Sequence, residues 1–199
     1  KNHVLGREVT VGLQQAIARA ETDYRGLVLW QEAPFAFGAD LKEVSEAVAA
    51  GQYDRLTDVI EQFQNASMAI KYAQIPVVAA VSGMALGGGC ELLMHAARRV
   101  LALESTIGLV EASVGLIPAG GGCKEFAVRA WQNAQMTASQ DPFEFISPVF
   151  ATIAKAIVAK SALHARELGF ALACDIVAAN TNEVLYIAVC QARAMAAAG

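Results

Sequence analysis

The chain has 199 residues, enough for one domain with a substantial buried core. Hydrophobic residues make up 55% and charged residues only 17%, a balance that excludes a disordered chain and fits a densely packed enzyme. The formal charge of −4 supplies no broad positive field, which argues against a nucleic-acid surface and leaves anionic ligands to local donors.

In chain order, Leu13, Ile17 and Ala20 recur at helical spacing, and Gly26 follows as a stop signal. Leu27-Val28-Leu29-Trp30 is a short continuous apolar run of the kind carried by buried parallel strands. The loop from Glu32 to Gly38 contains Pro34. Asp40 then opens a helix whose inner stripe is predicted as Leu41, Val44 and Val48, with Gly51 at its end. Leu56, Val59, Ile60, Phe63 and Ile70 mark a further amphipathic helix. Pro76 introduces Val77-Val78-Ala79-Ala80-Val81, the strongest strand signal in the chain. Gly83 and Gly87-Gly88-Gly89 predict a turn, Cys90 to Ala97 a helix, and Val100-Leu101-Ala102-Leu103 another strand.

From about Arg129 to Pro142 the periodicity fades, and Asn133, Thr137, Ser139 and Asp141-Pro142 predict a loop. Two helical stretches follow, the first ending at Gly169, with a short Asp175-Ile176-Val177 strand between them. Thr181 or Asn182 is placed to cap the last helix. Alternating strands and helices of this kind predict an α/β core with parallel strands.

The apolar stretch Ile75 to Ala97 contains Pro76, Gly83, three consecutive glycines and Glu91, a poor composition for a lipid-facing helix, so no membrane span is expected. No signal-peptide pattern is visible, and the start at Lys1, already close to a helix, suggests that part of an N-terminal region is missing. The four cysteines (Cys90, Cys123, Cys174, Cys190) form no C-x-x-C pair; reduced, mostly buried thiols in a cytoplasmic setting are expected. His3, His95 and His164 are far apart and form no ligand pattern, so no metal site is expected.

Two turns are rich in small residues: Phe37-Gly38-Ala39-Asp40-Leu41-Lys42 and Leu86-Gly87-Gly88-Gly89-Cys90-Glu91. Backbone N–H groups at a helix start lack intrahelical partners, and small residues let a ligand oxygen approach them. One such N–H from each turn could form an oxyanion hole, although a glycine-rich turn is more often only a tight connection. The phosphate-loop pattern G-x-x-x-x-G-K-[ST] and a full dinucleotide fingerprint are both absent. Glu91 could simply complement its helix dipole. Glu111, flanked by Ile107-Gly108-Leu109-Val110 and Val114-Gly115-Leu116-Ile117, is harder to explain, because a carboxylate in apolar surroundings must be paired or raise its pKa. From the residues alone, an acid/base pair and a structural hydrogen bond stand about equally. Cys90 fits a buried small hydrophobe better than a nucleophile, and His95, four residues after Glu91, either a packing role or a supporting role behind the site. Gly120-Gly121-Gly122 resembles another loop entering a helix.

Taken in order and spacing, Ala36-Phe37-Gly38-Ala39-Asp40-Leu41-Lys42-Glu43, Pro76-Val77-Val78-Ala79-Ala80-Val81, Ala85-Leu86-Gly87-Gly88-Gly89-Cys90-Glu91-Leu92 and Gly115-Leu116-Ile117-Pro118 resemble the crotonase superfamily. Ser161-Ala162-Leu163, Ala165-Arg166-Glu167-Leu168-Gly169 and Ile176-Val177 are similar to its distal helix-turn-strand. The resemblance covers nearly the whole chain. It implies a ClpP/crotonase-like ββα superhelix with a parallel sheet core and flanking helices. Residues 1–199 would form one such domain, with the core and active site in 1–128 and a helical region in 143–199. It implies Ala39 and Gly88 as the oxyanion donors and Glu91 and Glu111 as the catalytic carboxylates. Phe37, Gly38, Asp40, Leu41, Lys42, Gly87, Pro118 and Gly122 would touch the substrate.

The implied activity is hydration of the 2,3 double bond of an enoyl-CoA in fatty-acid β-oxidation, with coenzyme A entering only as part of the substrate and no separate cofactor. An enoyl-CoA isomerase and a non-catalytic acyl-CoA-binding or assembly module are the alternatives. The chain departs from the family at Val110, where proline is frequent, at Ala119 and Cys123-Lys124-Glu125, and at Ala97, where aspartate is common. Both ends look short, similar to the hydratase part of bifunctional 3-hydroxyacyl-CoA dehydrogenases. A homo-oligomer or a fusion to a dehydrogenase domain is therefore expected.

Overall fold

The computed structural model describes residues 3–138 and 140–198, so Ser139 of the expected loop lies outside the described residues. Helix α1 (Arg7–Asp23) leads into strand β1 (Leu27–Trp30), and α2 (Leu41–Ala49) and α3 (Tyr53–Tyr72) follow before β2 (Val77–Val81). The chain then runs β3 (Met84–Leu86), α4 (Gly88–His95), β4 (Arg98–Ala102) and β5 (Thr106–Gly108), and a 3-10 turn at Glu111–Val114 precedes α5 (Gly122–Gln135). Helices α6 (Phe143–Ala154) and α7 (Ala162–Glu167), strand β6 (Ile176–Ala178), a second 3-10 turn at Thr181–Glu183 and α8 (Val184–Ala198) complete the described chain. No helix among the described residues is long and apolar enough to cross a membrane.

Four strands form a parallel sheet in the order β1-β2-β4-β6, and β3 pairs in parallel with β5 in a separate two-stranded sheet. Every residue of β2 is buried because the strand is central and covered on both faces. On one face Val78, Ala80, Val100 and Ala102 meet Val184, Ala188 and Ala192 of α8. On the other, Val77, Ala79, Val81 and Leu101 join the main core with Ile17, Phe63, Ile70 and Leu93. The connection from β2 to β4 first pairs in the smaller sheet as β3 and then returns as α4. This strand-strand-helix step places the start of α4 beside the smaller sheet, where the candidate site lies.

Several expectations need correction. The predicted turn between Gly83 and Gly89 contains β3, and β5 was not foreseen; three-residue strands are too short to show an alternating pattern. The stretch from Arg129 to Gln135 is helical, not loop. There Arg129 points inward and donates to the carbonyls of Gly169 (2.6 Å), Phe170 (3.1 Å) and Met94 (2.9 Å), so a charged residue occupies a core position and hides the periodicity. The first C-terminal helical stretch is two helices, parted where Ala156 takes a left-handed conformation and Ala159 pairs with Ile107. Asn180, rather than Thr181 or Asn182, supplies the capping side chain before α8, through the preceding 3-10 turn. Of the cysteines only Cys90 is buried. The stripe Leu41, Val44 and Val48 is not an inner one, since Leu41 and Val48 are exposed and only Ala47 of α2 is buried.

An ion pair that sequence patterning did not reveal ties the sheet together. Arg99 Nε lies 2.6 Å from Asp175 Oδ2, and both side chains are essentially inaccessible to solvent. The Arg99 amide donates to Asp175 Oδ1 at 3.0 Å, and Nη1 donates to the carbonyls of Met94 and Ala96 at the end of α4. The pair thus joins α4, β4 and the entry to β6. Asp175→Ala leaves the guanidinium buried and unpaired, and is expected to lower unfolding stability by roughly 3–5 kcal/mol in a urea titration. A loss below about 1 kcal/mol would deny the pair this structural role.

Candidate active site

The first small-residue turn is positioned by backbone pairing. Ala36 donates its amide to Met84 (3.1 Å), and its carbonyl accepts from the Leu86 amide (2.9 Å), so the turn runs along β3. On its far side Phe37 donates to the carbonyl of His3 (2.9 Å), and the Leu5 amide donates to Gly38 (2.8 Å). This register presses Gly38 against the second turn. With φ of +90° a side chain there is strained, and a Cβ would lie 2.9 Å from the backbone nitrogen of Gly88. The second turn is anchored in turn by the Gly87 amide, which donates to Gly108 at the end of β5 (2.9 Å).

Helix α4 begins at Gly88, and its first intrahelical bond runs from the Glu91 amide to Gly87. The Gly88 amide therefore has no partner inside the helix. Gly88 and Ala39 line one cavity of about 310 Å³. Its walls are apolar: Leu41, Val44 and Val48 from α2, Leu56, Val59, Ile60 and Phe63 from α3, and Val114, Leu116 and Ile117 from the opposite rim. These walls account for exposed apolar side chains such as Leu41, Val48, Ile60 and Ile117.

Glu91 and Glu111 both reach this cavity. Glu91 is only 3% exposed, and its Oε1 accepts from the Gly122 amide at 2.8 Å. Burial pushes its pKa from 4.5 up to about 7; the Glu111 charge adds to the rise, while the amides of Gly122, Gly120 and Gly121 oppose it. Glu111 opens the 3-10 turn, and its Oε2 is buried without a hydrogen-bond partner. Burial raises its pKa also, against the opposing pull of its own and the Val110 backbone amide. Glycine is required opposite both carboxyls. A Cβ on Gly120 would lie 2.5 Å from Glu91 Oε2, and one on Gly87 would lie 3.3 Å from Glu111 Oε1. Two buried carboxyls with raised pKa, with backbone amides nearby in an apolar cleft, can pass protons to and from a bound carbonyl compound.

Of the residues singled out from sequence, Phe37, Gly38, Ala39, Leu41, Gly87, Gly88, Glu91 and Glu111 share this cavity. The others lie outside its lining. Asp40 caps α2 by accepting from the Lys42 amide (3.0 Å). The Lys42 side chain is 82% exposed and lies 3.8 Å from Glu46. Pro118 borders an adjacent cavity of about 400 Å³, and Gly122 reaches the site through its bond to Glu91. The expected inner stripe Leu41, Val44 and Val48 lines this cavity, facing Leu56, Val59 and Ile60 of the amphipathic α3.

Comparison with known proteins adds an independent line. The family model described as enoyl-CoA hydratase/isomerase matches residues 1–140. A probable 3-hydroxyacyl-CoA dehydrogenase of Bacillus subtilis is 36% identical over 187 residues, covering 94% of this chain and 23% of that protein. A putative fatty acid oxidation complex trifunctional enzyme of Rickettsia felis is 36% identical over 131 residues, covering 65% of this chain and 18% of that protein. The chain thus spans less than a quarter of the length of either relative. The solved structure of an enoyl-CoA hydratase from Polaromonas sp. JS666 superposes with a TM-score of 0.78 at 24% identity, over 98% of this chain and 70% of that one. That likeness carries the fold.

The electrostatics of the two carboxyls can be measured without any substrate. Replacing Glu111 by Gln removes a charge that raises Glu91, so the Glu91 midpoint, read by carboxyl NMR, should fall below about 7. Glu91 keeps its proton in the folded state after the unfolded chain has lost it. Its contribution to stability is therefore full below 4.5 and lost as pH rises through about 7. The stability of the wild type relative to Glu91→Gln should decline over that window by on the order of 3 kcal/mol, measured by denaturation at several pH values.

Proposed function

The chain belongs to the enoyl-CoA hydratase/isomerase family and has its crotonase-like fold, and on that premise we propose that it adds water across the 2,3 double bond of an enoyl-CoA thioester. The observation that carries this reading is the convergence of Glu91 and Glu111 on the cavity that Ala39 and Gly88 also line. The thioester oxygen accepts from the Ala39 and Gly88 amides, where negative charge builds up as water adds to C3. Such donors are worth about 3 kcal/mol each in other oxyanion holes, because they are already oriented before the charge appears.

Water sits between the carboxyls. Ionised Glu91 takes its proton as the oxygen bonds to C3, and protonated Glu111 gives a proton to C2. The product is a 3-hydroxyacyl-CoA, with Glu91 left protonated and Glu111 ionised; proton exchange with solvent restores the starting state. The raised pKa of each carboxyl supports a proton-exchanging role for both. The apolar wall of α2 and α3 suits an acyl chain, and exposed Lys42, next to Leu41 of that wall, would pair with a coenzyme A phosphate. The fatty acid oxidation complex named for the Rickettsia felis relative supports a place in β-oxidation. A 3-hydroxyacyl-CoA is also the substrate that a 3-hydroxyacyl-CoA dehydrogenase consumes, which supports a fusion or association with such an enzyme.

Crotonyl-CoA offered to the protein should lose its ultraviolet absorbance as the conjugated double bond is hydrated. Binding without that loss would leave only an acyl-CoA-binding module, and conversion of a 3-enoyl-CoA alone would favour an isomerase. Glu91→Gln and Glu111→Gln should each lower kcat by at least ~100-fold with smaller effects on KM. Unchanged turnover in both would remove their assigned roles.

A further inference from the structure

Behind Glu91 lies a second cluster of ionisable groups that the proposed reaction does not use. His95 sits one helical turn after Glu91 on α4, and its ring is wholly enclosed. Its Nδ1 lies 2.7 Å from the Glu91 carbonyl oxygen. A carbonyl only accepts, so Nδ1 carries the hydrogen and the neutral ring presents a lone pair at Nε2. That Nε2 is buried without a hydrogen-bond partner, 3.5 Å from Glu125 Oε1. Burial lowers the His95 pKa to about 4, so the ring is neutral at neutral pH.

Glu125, on α5, is itself buried. Lys71 Nζ reaches its two oxygens at 2.6 and 2.8 Å, and Lys124 Nζ lies 2.9 Å from Oε1. Burial pushes the Glu125 carboxyl up, but the hydrogen bonds from Lys124 and Lys71 outweigh it and hold it below the usual range. The carboxylate is thereby fixed as an anion next to the imidazole edge.

Between this cluster and the Glu91 carboxylate runs only the glycine loop. A Cβ on Gly121, where φ is +119°, would lie 2.7 Å from His95 Cε1 and 2.8 Å from Nε2. One residue to either side, the same loop meets Glu91: a Cβ on Gly120 would lie 2.5 Å from Oε2, and the Gly122 amide donates to Oε1 at 2.8 Å. The backbone of residues 120–122 is thus held between an imidazole and a carboxylate. Three glycines have no side chains with which to fix themselves and lose the most conformational freedom on ordering, so the support must come from outside the loop.

We propose that His95 is a positioning residue that holds the 120–122 backbone against the Glu91 carboxylate. The ring occupies the floor beneath Gly121, and its Nδ1 bond to the Glu91 carbonyl ties that floor to the helix bearing the carboxylate. The amides so placed stabilise the ionised form of Glu91 against burial. The other ionisable groups around Glu91 are Glu111 across the cavity, Cys90 beside it, and Cys123 on α5, with Arg129 farther along that helix. The consequence for turnover rests on the hydratase reading; the consequence for Glu91 titration does not.

His95→Asn keeps an amide donor near the place of Nδ1 but removes the ring from beneath Gly121. Gly121→Ala presses on the same contact from the loop side. Once circular dichroism shows each variant folded, the Glu91 midpoint in both should rise by ~0.5–1 pH unit as amide hydrogen bonds to the carboxylate weaken. With crotonyl-CoA, kcat should fall ~10-fold while KM stays within about twofold, because the loop supports the reacting group rather than the ligand. His95→Ala, which removes both the ring and its Nδ1 donor without touching the loop, should shift the midpoint the same way, and serves if either other variant fails to fold. A midpoint unchanged or lowered in the folded variants overturns the proposal whatever turnover does. Absence of turnover in the wild type would discard the hydratase reading alone, since the midpoint is measured without substrate.

Discussion

The pairing of Ala36 with strand β3 is the constraint from which the site follows. Two backbone hydrogen bonds, to Met84 and from Leu86, set the register of the first small-residue turn against the second. A slip of one residue would reverse which side chains face the cavity and would carry the Ala39 amide away from Gly88. The close approach of Gly38 to the Gly88 nitrogen is possible only because neither residue has a side chain. The smaller sheet, only three residues long in each strand, therefore matters more to the site than its size suggests. It fixes two loops to each other, while the larger sheet and its helices fix the smaller one to the core.

Within that frame the electrostatics run against simple stability. Glu91 is almost completely buried and held by glycine amides, and Glu111 leaves one oxygen unpaired in an apolar cleft. Elsewhere in the molecule, buried charge is matched closely: Arg99 with Asp175, Glu125 with Lys71 and Lys124, and Arg129 with three backbone carbonyls. The two carboxyls of the cavity are less fully paired than these groups, as expected where a proton-transferring site breaks the packing rules.

The parts of the molecule legible in the sequence are those governed by local chemistry. Continuous apolar runs identified β1 and β2, glycine clusters marked the turns, and the motif around Gly87–Glu91 with distant Glu111 identified the cavity's polar groups. What could not be read was set by tertiary contacts. Helix α5 was obscured because Arg129 faces inward to satisfy carbonyls from other segments. Val44 reads as part of an inner stripe because an apolar side chain lining a ligand cleft and one packed in the interior look alike in one dimension. For His95 the sequence leaves packing and a supporting role open; its neighbours Gly121 and Glu125 come from a segment about thirty residues on, a juxtaposition that spacing along one helix does not contain.

The contrast between the two faces of the main sheet bears on how such a molecule can change over time. On the α8 side, Ala188 and Ala192 lie directly on Val78 and Ala80, leaving no room for growth without lifting the helix. On the cavity side, the walls are side chains such as Leu41, Val48 and Ile60, already half open to solvent and turned away from the packed core. Variation is thus tolerated where a ligand is selected and penalised where the framework is kept. A lineage built on this framework can diversify its ligand repertoire by altering α2 and α3, without re-inventing the backbone that presents the reactive groups.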